Sequence, residues 1–133
     1  MQLPEAVEEI HDLRIALKRL RYTLELFSDL FGADGATQIA RVKALQETLG
    51  TLHDEDVRLA LIATTAAAKP ERTTDGERPS EGATAGIRAG LGRIAERERV
   101  RRAETHRRFG EEWAAAQQAG MRRELVALSQ PLS

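Results

Sequence analysis

The sequence predicts an all-α protein, and three observations predict it. Only 4% of the 133 residues are aromatic, so a core must be assembled from Leu, Ala, Val and Ile, and both Ala and Leu lose little rotamer freedom in a helix. Apolar residues recur at steps of three and four over long stretches, the period of a helix that buries one face. No stretch alternates apolar and polar residues as a half-buried strand would. The length suits one small core, and a single domain over 1–133 is expected, folded as an antiparallel bundle of three long helices plus a short C-terminal one.

The first helix is expected over about 4–31, where Ile10, Leu13, Leu17, Leu20, Leu24, Phe27 and Phe31 form a seam. Pro4 suits a first turn, where its missing N–H costs nothing, and Gly32 suits the stop. The stretch from Gly32 to Gly35 is too short for anything but a tight connection, so the second helix, about 35–68, should run antiparallel to the first. Its seam reads Ile39, Val42, Leu45, Leu49, Leu52, Leu59, Ile62 and Ala66. Residues 69–86 hold Pro, Gly, Thr, Ser and charges with no apolar side chain larger than Ala, and a flexible loop is expected there. A third helix, about 87–118, has Ile87, Leu91, Ile94, Phe109 and Trp113 as anchors, and a short fourth follows Gly120 at about 121–128. The middle of the third is unusual, because the steps from Ile94 land on Glu98, Arg101 and Thr105. The charges at Glu98 and Arg101 fit a helix lining a polar groove or a subunit interface.

Composition removes several function classes. Lys and Arg number 20 against 21 Asp and Glu, a net charge of -1, so bulk charge does not mark an anion binder. The cations are nevertheless almost all arginine, the only lysines being Lys18, Lys43 and Lys69. The absence of cysteine excludes disulfides, thiolate nucleophiles and sulfur-ligated zinc. No apolar run approaches the ~18 residues that span a bilayer, and no basic-then-apolar leader follows Met1. A cytoplasmic protein without a membrane partner is the expectation.

The chemistry gathers on the first helix. Taking about 100° per residue from His11, Arg14 falls near 300°, Lys18 near 340°, Arg21 near 280° and Tyr22 near 20°. The apolar seam occupies about 160° to 260° on the same wheel, so the cations border the packing seam instead of lying opposite it. A merely solubilising face would lie on the far side. On the second helix Lys43, Gln46, Gly50, His53 and Asp54 share an arc of about 100°. Gly50 costs about 1 kcal/mol relative to Ala in a helix interior, and a close approach of the facing helix is the expected reason. Asp54 is expected to hold an arginine of the first helix by a charge-assisted bond.

This pattern resembles the conserved histidine α-helical domain (CHAD) family. The residues that carry it are His11, Arg14, Lys18, Arg21 and Tyr22 in H-x-x-R-x-x-x-K-x-x-R-Y, followed by Leu45-Gln46, Leu49-Gly50 and Asp54. The likeness is close over 7–62 and loose over 87–116. It implies half of a double helical bundle surrounding a basic channel that binds inorganic polyphosphate, in a family whose members accompany CYTH-type triphosphate enzymes or polyphosphate granules. It assigns His11, Arg14, Lys18, Arg21 and Lys43 to polyphosphate, with Tyr22, Gln46, Gly50, His53 and Asp54 in support. Arg97 and Arg101 are added as candidate groove-lining residues from the helix wheel. Family modules carry two repeats and this sequence shows one, most like the second. A missing first repeat, or a second copy in a homodimer, is expected to complete the channel.

Polyphosphate suits such a row physically. Neighbours at helical spacing lie ~5 to 6 Å apart, arginine offers a planar fork to phosphate oxygens, and Lys18 acts as a point charge. His11 is expected to donate a hydrogen bond to phosphate, more effectively once protonated. The dipeptides His11-Asp12 and His53-Asp54 do not make a metal site, since adjacent helical side chains diverge by about 100°. No carboxylate pair is poised for acid–base work, so no enzyme, metal or cofactor is expected. The arginine-rich run 97–108 is interleaved with Glu at ion-pair spacing and lacks aromatic stacking platforms; nucleic acid is therefore not an expected partner. Two alternatives remain: an interaction domain that docks on a CYTH-type triphosphate enzyme, and a polyphosphate or triphosphate hydrolase.

Overall fold

The computed structural model describes residues 6–68, 76 and 80–130. Four helices account for nearly all of them, in the order α1 (Val7–Leu26), α2 (Ser28–Ala67), α3 (Glu81–Gln118) and α4 (Met121–Ser129). The all-α bundle that the periodicities predict is what forms. The chain divides into two compact units, one of Met1–His53 with Thr105–Ser133 and one of Asp54–Glu104, so α2 and α3 each contribute to both.

In the first unit, the buried positions of α1 are Ile10, Leu17 and Leu24, seven residues apart, which is two helical turns and returns each side chain to the same stripe. They meet Val42, Leu45, Leu49 and Leu52 of α2, Phe109 and Ala116 of α3 and Met121 of α4 in one core. Polar links cross between the same helices. Thr48 donates to Glu112 Oε2 at 2.7 Å, and Glu124 accepts from Arg41 at 2.8 Å and from the fully buried Gln38. His11 and His53 bring their rings to 6.4 Å, although each lies many residues from the α1–α2 junction. The two helices therefore run back along each other, antiparallel as the short connection requires.

That connection differs in detail from the expected one. α1 ends at Leu26, five residues before the predicted limit, with Phe27 leaving the helical region at φ -103°, ψ 17°. Helix restarts at Ser28 and breaks again at Gly32, where φ 58°, ψ -142° needs a residue without Cβ. Ala33 to Gly35 are helical, so the turn is a short helical step bounded by Phe27 and Gly32. Phe27 consequently leaves the seam and stands 43% exposed. Gly35 is buried, and a Cβ there would collide with Phe31 Cβ. The reading of Pro4 as a first-turn residue lies outside the described residues.

The second unit is a hairpin made from the C-terminal part of α2 and the N-terminal part of α3. α3 begins at Glu81, six residues earlier than expected, because Ser80 caps it: its Oγ accepts from the Ala83 N–H at 3.2 Å and its carbonyl from the Thr84 N–H at 3.0 Å. The predicted loop therefore loses its last six residues to helix; 69–75 and 77–79 lie outside the described residues. Ile87 and Ile94, expected as anchors, are 62% and 48% exposed. The inward stripe of α3 in this unit is instead Leu91, Ala95, Glu98 and Arg102, which keeps the 3.6-residue period but fills part of it with polar groups.

Those polar groups find partners. Buried Glu98 accepts from Arg58 Nε at 3.1 Å and from Arg101 at 3.3 Å, and Asp56, its side chain 8% exposed, pairs with Arg102. The pairing order, Asp56 to Arg102 and Arg58 to Glu98, runs in opposite directions along the two helices and makes the hairpin antiparallel. Removing one partner of an enclosed pair strands the other charge. Asp56→Ala is accordingly expected to lower stability by about 2 kcal/mol, below the fully buried range because Arg102 keeps some access to water. Urea denaturation would show it as a lower midpoint, and an unchanged midpoint would remove this pair from the forces holding the hairpin.

Candidate functional site

The residues proposed for polyphosphate on α1 and α2 all fall in the first unit. Successive steps of three, four and three from His11 through Arg14 and Lys18 to Arg21 keep them on one side of α1, next to the stripe that Ile10, Leu17 and Leu24 bury. The position sets their access: Arg14 and Arg21 are half-buried, Lys18 and His11 exposed. Tyr22 gathers two of the cations, with Lys18 Nζ 5.8 Å and Arg21 Cζ 5.2 Å from its ring centroid, distances at which a cation is attracted to the ring face. Arg21 Nε also lies 3.5 Å from Glu25 Oε1, yet it is enclosed and makes no hydrogen bond.

At the other end of the row, His11 and His53 share a pocket of about 370 Å³ with Val7, Glu8 and Asp12. The sequence analysis named His11 and His53 as site residues and did not include the two carboxylates, although Glu8 sits one turn before His11. Their negative charge makes this end less attractive to anions than the Arg14–Lys18–Arg21 segment. Among the described residues no group of three or more His, Asp or Glu is placed to hold a metal ion.

From α2, Lys43 is exposed and Gln46 half-buried, its Oε1 enclosed without a hydrogen-bond partner. Gly50 corrects an expectation. A Cβ built there meets nothing within 4 Å, so no facing helix presses on it and the glycine leaves open space between Gln46 and His53. Gly50→Ala is then free of collision, and the gain in helix propensity should raise stability by about 0.5–1 kcal/mol. Thermal unfolding tests this, and a lower midpoint would mean that the space is closed.

Asp54 is the residue expected to hold an arginine of α1. It belongs to the second unit, is exposed and carries no ion pair among the described residues, while Arg21 turns to Glu25 in its own helix. Two residues on, Asp56 pairs with Arg102 of its own unit. Arg97 and Arg101 also belong to the second unit, where they border a surface depression on α3 with Arg93, Glu96 and Val100. Arg101 is bound to Glu98, and its side chain is 65% exposed.

Comparison with known proteins gives one match. Residues 1–63 match the family model described as CHAD domain, the segment that holds every α1 and α2 residue of the basic row. No curated protein and no solved structure matches the chain.

Proposed function

From the match of residues 1–63 to the CHAD domain family model, we propose that the protein binds inorganic polyphosphate along the basic row of α1 and does not hydrolyse it. The observation that carries the reading is the segment Arg14, Lys18 and Arg21, with Lys18 and Arg21 gathered on the Tyr22 ring and set beside the packing seam. A linear polyanion laid along this segment meets a point charge at Lys18 and planar forks at Arg14 and Arg21, each suited to phosphate oxygens. Lys43 adds a cation from α2, and the space at Gly50 admits the chain between the helices. His11 and His53 bound the row, where Glu8 and Asp12 oppose further extension of the anion.

The test is a mobility shift of the purified protein with polyphosphate, with duplex DNA as competitor. Retention that DNA fails to displace supports the reading. Displacement by equal charge of DNA would reduce the row to a general polyanion binder, and phosphate release dependent on a divalent ion would replace binding by hydrolysis.

A further inference from the structure

A second concavity in the first unit has a different chemistry. It measures about 770 Å³ and is lined by Leu17 and Leu20 of α1, Trp113 and Gln117 of α3, and Met121, Arg122, Leu125 and Val126 of α4. Leu17 and Met121 are each 4% exposed and form a closed floor. Leu20, Trp113 and Leu125 are half-buried against the core, and Val126 is exposed at the rim. The polar groups are Gln117 and Arg122, on either side of the turn at Gly120, whose φ of 78° brings α4 back across the end of α3. No carboxylate lines the cavity, and Arg122 has no ion pair among the described residues, while the nearby Glu124 is engaged by Gln38 and Arg41.

We propose that this groove binds a medium-chain aliphatic carboxylate, its chain over Leu17, Leu20, Trp113, Met121 and Leu125 and its head at Arg122. Three features carry the proposal. Its size and mainly apolar lining with a few polar groups at one place are those of a small-molecule site, where the polar groups orient the ligand. Arg122, the one cation among the residues lining the groove, selects a negative head. An occupying helix, with a diameter of about 10 Å including side chains, would need a longer trough than these eight residues line. The proposal is independent of the polyphosphate reading, since none of the basic row takes part.

Trp113 is the only tryptophan in the chain and reports on the groove. Titration of the full chain with dodecanoate below its micellar concentration is expected to shift Trp113 emission to shorter wavelength and saturate. Dodecyltrimethylammonium, with the same chain and the opposite head, should bind at least fivefold more weakly. Arg122→Glu should weaken dodecanoate by a factor of about five or more, the scale of an exposed ion pair, leave dodecanol binding unchanged, and leave polyphosphate retention unchanged. An emission that does not respond to dodecanoate, or equal binding of the two head groups, overturns the proposal. A response to an acidic amphipathic peptide but not to dodecanoate would assign the groove to a protein helix instead.

Discussion

Replacing Phe109 by Ala is expected to lower the unfolding free energy by about 3–5 kcal/mol, the range for truncating a large aromatic side chain in a packed core. Phe109 is 1% exposed and is the largest fully buried side chain. It packs in the cluster of α1 residues Ile10, Leu17 and Leu24 and α2 residues Val42, Leu45, Leu49 and Leu52, with its ring 6.1 Å from that of Trp113. Against a total of about 5–15 kcal/mol for a domain, the loss is large enough to leave a substantial unfolded fraction at moderate temperature. Urea denaturation followed by circular dichroism reads it directly. A change below about 1 kcal/mol would contradict a close-packed site at this position.

The second large effect concerns the basic row. Simultaneous Arg14→Glu, Lys18→Glu and Arg21→Glu should abolish retention of polyphosphate at moderate salt. For the unaltered chain the logarithm of affinity should fall steeply with the logarithm of salt concentration. Neutralising three contacts, Arg14→Gln, Lys18→Gln and Arg21→Gln, should reduce that slope by about 2, taking the single-stranded value of roughly 0.7 per phosphate contact. Because these side chains border solvent and none belongs to the buried cluster, the helical content of the neutralised variant should be unchanged. Undiminished binding by a folded triple variant would sink the proposed site. Loss of binding with an unaltered salt slope would point to contacts other than ion pairing.

Much of the fold was legible in the residues themselves. The seven-residue spacing of Ile10, Leu17 and Leu24 and the Val42–Leu52 series form faces that only a helix keeps together, and the basic row was readable because its angle to that seam follows from helical geometry alone. The limits of the reading appear where the apolar signal is weak. Ile94 looked like an anchor because it is large and apolar, yet α3 turns Ala95 and Glu98 inward. That choice is set by what the facing helix offers, namely Arg58 for Glu98 and Asp56 for Arg102. The early start of α3 rests on the capping hydroxyl of Ser80, a signal present in the sequence but masked by the Gly, Thr and Ala that follow it.

Local periodicity thus settles for this chain which segments are helical, which face of α1 is apolar and which edge is basic, because each depends on residues within a few turns of one another. Tertiary packing alone decides the rest. It determines that Gly50 faces open space, that Glu8 and Asp12 join the histidine pair, and that Leu17, Trp113 and Met121 come from three helices to one groove. These outcomes depend on residues far apart in sequence meeting across helices, and a single helix wheel carries no information about the partner it will face.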